Sequence, residues 1–257
     1  MQIVVTQLAS RPADGGSAIP AAARLMERFE GRLSADDIVL LPELVGGRAP
    51  SDVYEAEVRA LARRLGAWIV GGSHFAGDAE GLANTGIVAD PGGEVAGRFG
   101  KLNPYGEERA HVTRVGLGPL ALRIGGLSCL VMICADFWHA SAFPPEGAGL
   151  DLILVPAFSA SQRPTPHMAR ARWRHLAASR AYEHSAFVAI SDWAHPVPFG
   201  AARSSGVAGL AHPNPTAPAG LYHFLGRRRA AAYTLAFDAV HDLRFDRGAR
   251  GFALAAR

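Results

Sequence analysis

Apolar and polar positions alternate between two regimes along the 257-residue chain. Residues 2–9 form an apolar-rich run of strand length, and residues 37–42 (DIVLLP) form a second, stopped by Pro42. Between them Leu25, Phe29 and Leu33 recur at four-residue spacing, which predicts an amphipathic helix over 17–32. Another helix is predicted from Ser51, its N-cap, to Leu65. Val58, Leu61, Ala62 and Leu65 share one face of it, and Gly66 is its stop. Residues 67–71 read as a strand, and 83–100 as a hairpin around Pro91-Gly92-Gly93. Strands are predicted at 119–125, 127–133 and 151–156 (DLILVP), then a long helix over 166–184, a strand over 186–192, and short strands near 206–211 and 231–237. The likeness of IVLLPELV to LILVPAFS hints at two similar halves. No composition shift marks a boundary, and HPNPTAPAG at 212–220 reads as a loop between strands. The expectation is one α/β domain over 1–257.

Composition narrows the function without naming it. Apolar residues make up 49% and charged residues 19%, as in ordinary globular chains. No apolar run approaches the ~18 residues of a membrane span. The opening MQIVVTQLAS lacks a basic n-region and reads as a strand rather than a signal peptide, so a cytoplasmic location is expected. The net charge is +3 and the isoelectric point about 9.2. Almost all the positive charge is arginine, Lys101 being the sole lysine. The basic stretches at 163–180 and 227–229 are interrupted or short, unlike the clustered stripe that nucleic-acid binding requires. Cys129 and Cys134, five apart on one predicted strand, should point to opposite faces, which disfavours a disulfide. There is no CxxC or HExxH pattern to suggest a metal and no GxSxG elbow to suggest a serine hydrolase.

Three segments share a design in which an apolar run ends at a reactive side chain: IVLLPELV at Glu43, VAGRFGKLNPYGEE at Lys101, and LSCLVMICADFW at Cys134. Strand ends are where α/β folds hold ligands, because the rigid sheet fixes a side chain at the lip of a crevice. Each residue also has a plain reading. A buried cysteine is usually a small hydrophobe, which suffices for Cys129 in mid-strand. A glutamate after Leu-Leu-Pro suits a helix N-terminus, and a lone lysine suits a solvated loop.

Taken together, in this order, the three segments resemble the signatures of the nitrilase, or carbon–nitrogen hydrolase, superfamily. The resemblance covers about residues 2–212. It includes the opening strand with Gln7, Asn84-Thr85 before the hairpin, the strand at 150–157, and Trp173 with Arg180-Ala181-Tyr182-Glu183. It implies a four-layer α-β-β-α sandwich with Glu43, Lys101 and Cys134 as catalytic triad. It also implies a second glutamate, for which Glu107 is the choice and Glu108 the alternative. Further implications are no cofactor, a small-molecule amide or carbamoyl substrate, and a homodimer or larger assembly.

In chemical terms, a thiol of ordinary pKa about 8.5 needs a base or cation nearby to attack at neutral pH. Glu43 would take its proton and later direct water. Lys101 and the Ala135 N–H would hold the oxyanion. The Asp at 136 resembles the amidase and carbamoylase branches. Ala135 and His184 depart from the family pattern, with Trp138 and His139 placed to compensate for the small Ala135. A true nitrilase, a soluble acyltransferase and a non-catalytic module are the alternatives. Specificity is expected from loops 45–50, 105–115, 137–147, 158–165 and 193–204, where Arg163, Arg203 and His195 are candidate carboxylate partners.

Overall fold

The computed structural model describes residues 1–12, 14–78, 81–144 and 149–251. In chain order its regular elements are β1 (Gln2–Leu8), α1 (Ile19–Met26), β2 (Ile38–Leu40), α2 (Ser51–Leu65), β3 (Trp68–Val70), β4 (His74–Asp78), β5 (Gly81–Ala89) and β6 (Val95–Gly100). There follow β7 (Leu120–Ile124), β8 (Leu127–Val131), β9 (Leu152–Pro156), α3 (His167–His184), β10 (Phe187–Trp193), β11 (Pro198–Phe199), β12 (Ala202–Arg203), β13 (Gly209–Ala211), β14 (Tyr222–Phe224), β15 (Ala230–Thr234) and α4 (Asp238–Ala249).

The main sheet runs β4-β5-β3-β2-β1-β10-β9-β8-β7, with β6 on β5, β15 on β1, and β13 and β14 continuing from β10. Strands β1, β2 and β3 are mutually parallel, as are β8, β9 and β10. The two parallel sets meet only where Gln7 and Leu8 pair with Asp192 and Trp193. Beyond that short seam the sheet curls into two leaves.

Strand alternation shows what lies on each face. In β1 and β2, Ile3, Val5, Ile38 and Leu40 face the second leaf, in one cluster with Leu130, Val131, Leu154 and Val155. Val4, Val39 and Leu41 turn the other way, onto Ile19, Ala22 and Met26 of α1 and Tyr54, Val58, Leu61 and Leu65 of α2. On the far side Trp173, Ala177 and Ala181, four apart along α3, cover the second leaf, joined by Val240 of α4. The layers are therefore helix, sheet, sheet, helix, the predicted four-layer sandwich.

Several local expectations shift. The first helix is shorter than 17–32: a 3-10 turn over Glu27–Phe29 and Gly31 at φ +68° end it. Ser51 is not the N-cap. Pro50 is, and the Ser51 hydroxyl meets Nε2 of His74 at 3.1 Å. Gly66 does close α2, at φ +59°. The strand predicted over 127–133 stops at Val131, so the two cysteines do not share it; both are free and buried. Helix α4 was not anticipated, because only Val240 and Leu243 of its twelve residues are buried and its apolar periodicity is weak. Among the described residues no helix is long and apolar enough to cross a membrane.

The central strands carry the core, so truncation there should be costly. Leu154→Ala, at a side chain with no exposed surface, is expected to lower unfolding free energy by about 2–5 kcal/mol in urea titration. Val53→Ala on the outer face of α2 should change it by less than about 0.5 kcal/mol.

Candidate active site

All six parallel strands, and β6 beside them, present their C-terminal ends to one edge, where the chain leaves the sheet through turns. Glu43 follows β2. Its backbone is clamped: Trp193 Nε1–H donates to the Glu43 carbonyl at 2.7 Å, and the Leu44 N–H donates to Ser73 Oγ at 2.8 Å. Leu44 itself sits at φ +56°. Gly72 is required beside it, since a Cβ there would lie 2.1 Å from the Pro42 carbonyl oxygen.

Lys101 follows β6, its N–H bound to the Asn84 carbonyl at 2.9 Å. Its ammonium donates to Glu43 Oε1 at 2.6 Å and, through a very short contact, to Glu108 Oε2. Asn84 Nδ2 bridges the same two carboxylates, at 2.9 Å to Glu43 and 2.7 Å to Glu108. All four side chains are buried.

The second glutamate beside the lysine is Glu108, which corrects the choice of Glu107. Residues Gly106–Ala110 form a 3-10 helix. Neighbours on such a helix point about 120° apart, so only one of the two can face inward. Glu108 does, because its Oε2 also accepts the Tyr105 N–H at 3.1 Å in a capping box. Glu107 is exposed and accepts the Ala201 N–H at 2.8 Å.

Cys134 follows β8 and starts a 3-10 helix over Cys134–Trp138. Its φ of +43° is a conformation non-glycine residues seldom adopt, and it turns the side chain sharply out of the strand direction. The thiol lies 3.5 Å from the Phe158 carbonyl, while the Phe158 N–H donates to Glu43 Oε2 at 2.8 Å. One peptide segment thus touches both the thiol and the carboxylate.

Two buried aspartates hold the flanking chain. Asp136 accepts from the N–H groups of Leu102 (3.0 Å) and Asn103 (2.8 Å) and from Asn103 Nδ2 (2.8 Å), tying the lysine loop to the cysteine turn. Asp192, at the seam, accepts from the Ser159 N–H (3.0 Å), the Ser159 hydroxyl (2.5 Å) and the Val207 N–H (2.7 Å). It thereby anchors the residue next to Phe158.

Burial sets the electrostatics. It pushes the Glu43 carboxyl above the ordinary glutamate range; the Lys101 ammonium offsets part of the push and Glu108 adds to it. Lys101 goes the other way for a cation. Burial alone would lower it, but Glu43, Cys134 and Glu108 outweigh that and raise it. Burial and the neighbouring Glu43 push the Cys134 thiol well up, with Lys101 pulling partly back. At rest the thiol is neutral and the ammonium charged.

Cys134 opens onto a cavity of about 860 Å³. Its walls are largely apolar, with Trp138, Phe158, Met168, Trp173 and Phe199, and its charged lining is Glu107, Arg163 and Arg172, beside His139. Of the candidate carboxylate partners, Arg163 lines this cavity, while Arg203 bridges Ser161 through its backbone and His195 Nδ1–H donates to the Ser204 carbonyl at 2.8 Å. Gln7 is not among the clustered side chains: its Nε2 donates to the Gly226 and Arg228 carbonyls. Arg180 pairs with Glu183 at 2.6 Å on α3, and His184 stacks on Phe143 at 4.8 Å. Part of the predicted 137–147 loop, residues 145–147, lies outside the described residues. Sequence reasoning missed the Phe158 backbone and Asp192; the first leaves no side-chain signal, and the second is one acid among many. Among the described residues no cluster of three or more His, Cys, Asp or Glu side chains is placed to hold a metal ion.

Comparison with known proteins gives this arrangement a family. The carbon–nitrogen hydrolase family model matches residues 7–203, a span that includes Glu43, Lys101, Glu108 and Cys134. No curated protein matches the sequence. A CN-hydrolase superfamily protein from Xanthomonas campestris, solved with an arsenic adduct in its active site, superposes with a TM-score of 0.78. It is 20% identical, over 100% of this chain and 99% of its own. The amidase from Nesterenkonia sp. AN1, solved as a variant with butyramide, gives 0.73 at 21% identity over 98% and 97% of the two chains. A further variant of that amidase, carrying the acetamide moiety of fluoroacetamide on its active-site cysteine, gives 0.70 at 22% identity over the same shares. These structures share the sandwich, and with the family model spanning most of its length the chain belongs to the carbon–nitrogen hydrolase family.

Proposed function

We propose that the chain hydrolyses a non-peptide carbon–nitrogen bond, in an amide or carbamoyl amine, through a thioester on Cys134. The observation that carries the reading is the linkage of Glu43, Lys101 and Cys134 in one buried cluster, of which Cys134 opens onto the cavity. The Phe158 peptide lies between thiol and carboxylate there, and the ammonium sits 2.6 Å from Glu43. The similar Nesterenkonia amidase, which binds butyramide and is modified at its active-site cysteine, supports the same bond class.

Glu43, with its raised pKa, is matched to passing a proton back and forth. It takes the thiol proton as sulfur attacks the carbonyl carbon. The oxygen gains negative charge beside the Lys101 ammonium and the Ala135 N–H, which favour it over the neutral carbonyl. Collapse breaks the carbon–nitrogen bond, and the nitrogen leaves with the proton from Glu43. Water then attacks the thioester, giving one proton to Glu43. The carbon–sulfur bond breaks, and that proton restores the thiol. Lys101 keeps its charge throughout, consistent with its raised pKa. Glu108 and Asn84 position it.

The direct check is intact-protein mass after brief exposure to amides and carbamoyl amines with acid quench. An acyl increment should map to the peptide holding Cys134. Cys134→Ala should lose both the increment and turnover, by about three orders of magnitude or more; undiminished turnover in that variant would sink the mechanism.

The pH profile supplies a second check. Because the active form of Glu43 is the carboxylate and its pKa is raised, the acid limb of kcat/KM should lie above an ordinary glutamate value of about 4.3. An N–H donor to a carboxylate favours the ionised form. Asn84→Ala removes such a donor and should move the limb to still higher pH. A limb that stays in place would separate Asn84 from the titrating group.

A further inference from the structure

Near the base stands a second cation that the chemistry above does not use. Arg11 lies in the segment that leaves β1 and is half-buried. Its guanidinium sits over three aromatic rings, 5.3 Å from the centroid of Phe199, 5.6 Å from Phe158 and 6.0 Å from Trp193. The rings pack on one another, Phe158 lying 5.1 Å from Phe199 and 5.9 Å from Trp193. Two of these residues hold Glu43 directly: the Phe158 N–H donates to its Oε2 and Trp193 Nε1–H to its carbonyl. Phe158 and Phe199 also line the cavity, whereas Arg11 does not. The cation therefore packs on the residues that hold the base, without reaching the substrate.

Guanidinium faces are weakly hydrated and favour such aromatic seats. Among the described residues no carboxylate lies within ion-pair distance of Arg11. Burial weakens its charged form, Glu43 opposes that push, and the exposed Arg48, in the turn after β2, adds to it. The ionisable groups that act most strongly on Glu43 are Lys101 after β6, Glu108 of the 3-10 helix and Cys134 after β8. Glu43, Glu108 and Lys101 together carry one negative charge when both acids are ionised, and Arg11, beyond them, supplies positive charge against it.

We propose that Arg11 is a positioning residue of the active site, whose charge favours the carboxylate form of Glu43 and whose guanidinium braces the aromatic wall that Phe158 and Phe199 give the cavity. The inference rests on Glu43 as the base for Cys134 and adds a group that keeps this base ionised.

Two substitutions separate charge from packing. Arg11→Met keeps bulk on the rings and removes the charge; Arg11→Lys keeps the charge and loses the planar face. A nearby cation favours a carboxylate over its acid, so its removal raises the pH at which the carboxylate forms. The acid limb of kcat/KM should move up by about half a pH unit or more in Arg11→Met and lie near its parent position in Arg11→Lys. A role confined to packing predicts the reverse order, because methionine packs well against aromatic rings. Arg11→Gln, equally neutral, gives the same comparison should Arg11→Met not fold, as judged by circular dichroism and melting temperature. A readout independent of turnover is the carbon-13 resonance of the Glu43 carboxyl, in protein labelled at glutamate Cδ and assigned by its loss in Glu43→Gln. In the Cys134→Ala background its titration midpoint should rise by a similar amount on Arg11→Met and stay in place on Arg11→Lys. A midpoint that the neutral substitutions leave in place, or that lysine and methionine move equally, overturns the proposal. A midpoint that rises while the limb of kcat/KM stays put would instead overturn Glu43 as the titrating base and leave the action of Arg11 on it standing.

Discussion

The site turns on one buried cation. Lys101 lies between Glu43 and Glu108, and all three side chains have almost no exposed surface. Two carboxylates so close and so far from water repel each other and lose hydration, and a single ammonium with the Asn84 amide offsets that cost. The trio still carries one net negative charge. Loss of hydration is the main push of Glu43 towards its protonated form, with Glu108 adding to it, while Glu43, Cys134 and Glu108 together keep Lys101 charged. The same interaction that makes the cluster tolerable in an apolar interior gives it a proton acceptor and a fixed positive charge side by side.

Holding such a cluster requires a rigid frame, and the two-leaf sheet provides it. The resemblance between IVLLPELV and LILVPAFS has a physical meaning here. Strand β2 lies next to β1 and strand β9 next to β10, on opposite sides of the short β1–β10 seam. The two apolar-strand-then-proline segments therefore leave the sheet together. Glu43 comes from one and Phe158 from the other, and they meet in a 2.8 Å hydrogen bond. Trp193 and Asp192, at the seam, clamp the backbone on each side of that contact.

Much of this was legible beforehand because it was written in side chains. Short apolar runs pointed to the strands, four-residue spacing to α1 and a shared apolar face to α2, and the glutamate, lysine and cysteine each ended an apolar run. Reading failed where the signal was backbone or fine geometry. Glu107 and Glu108 are adjacent identical residues, and only the phase of a 3-10 turn separates inward from outward. Helix α4 buries too few apolar side chains to declare itself. Its placement instead depends on polar anchors, such as Arg244 on Asp151 at 3.0 Å and on the Leu150 and Ser185 carbonyls.

The cysteine turn shows how strain and polarity are combined. Cys134 adopts φ +43° in a buried position, a conformation worth of order 1–3 kcal/mol that the surroundings must over-determine. Asp136 does much of this. Two residues on, its carboxylate binds three N–H donors of the lysine loop, so the cysteine turn and the lysine loop cannot move independently. Burial pushes the Asp136 carboxyl up, and the N–H donors pull it partly back, so the ionised acid depends on the contacts it makes. Cys134, Lys101 and Glu43 are thus fixed to one another through backbone amides held by buried acids. The cavity walls beyond them combine buried Phe158 and Trp173, which belong to the two cores, with exposed Trp138 and Met168, so the part of the pocket nearest the sheet shares its rigidity.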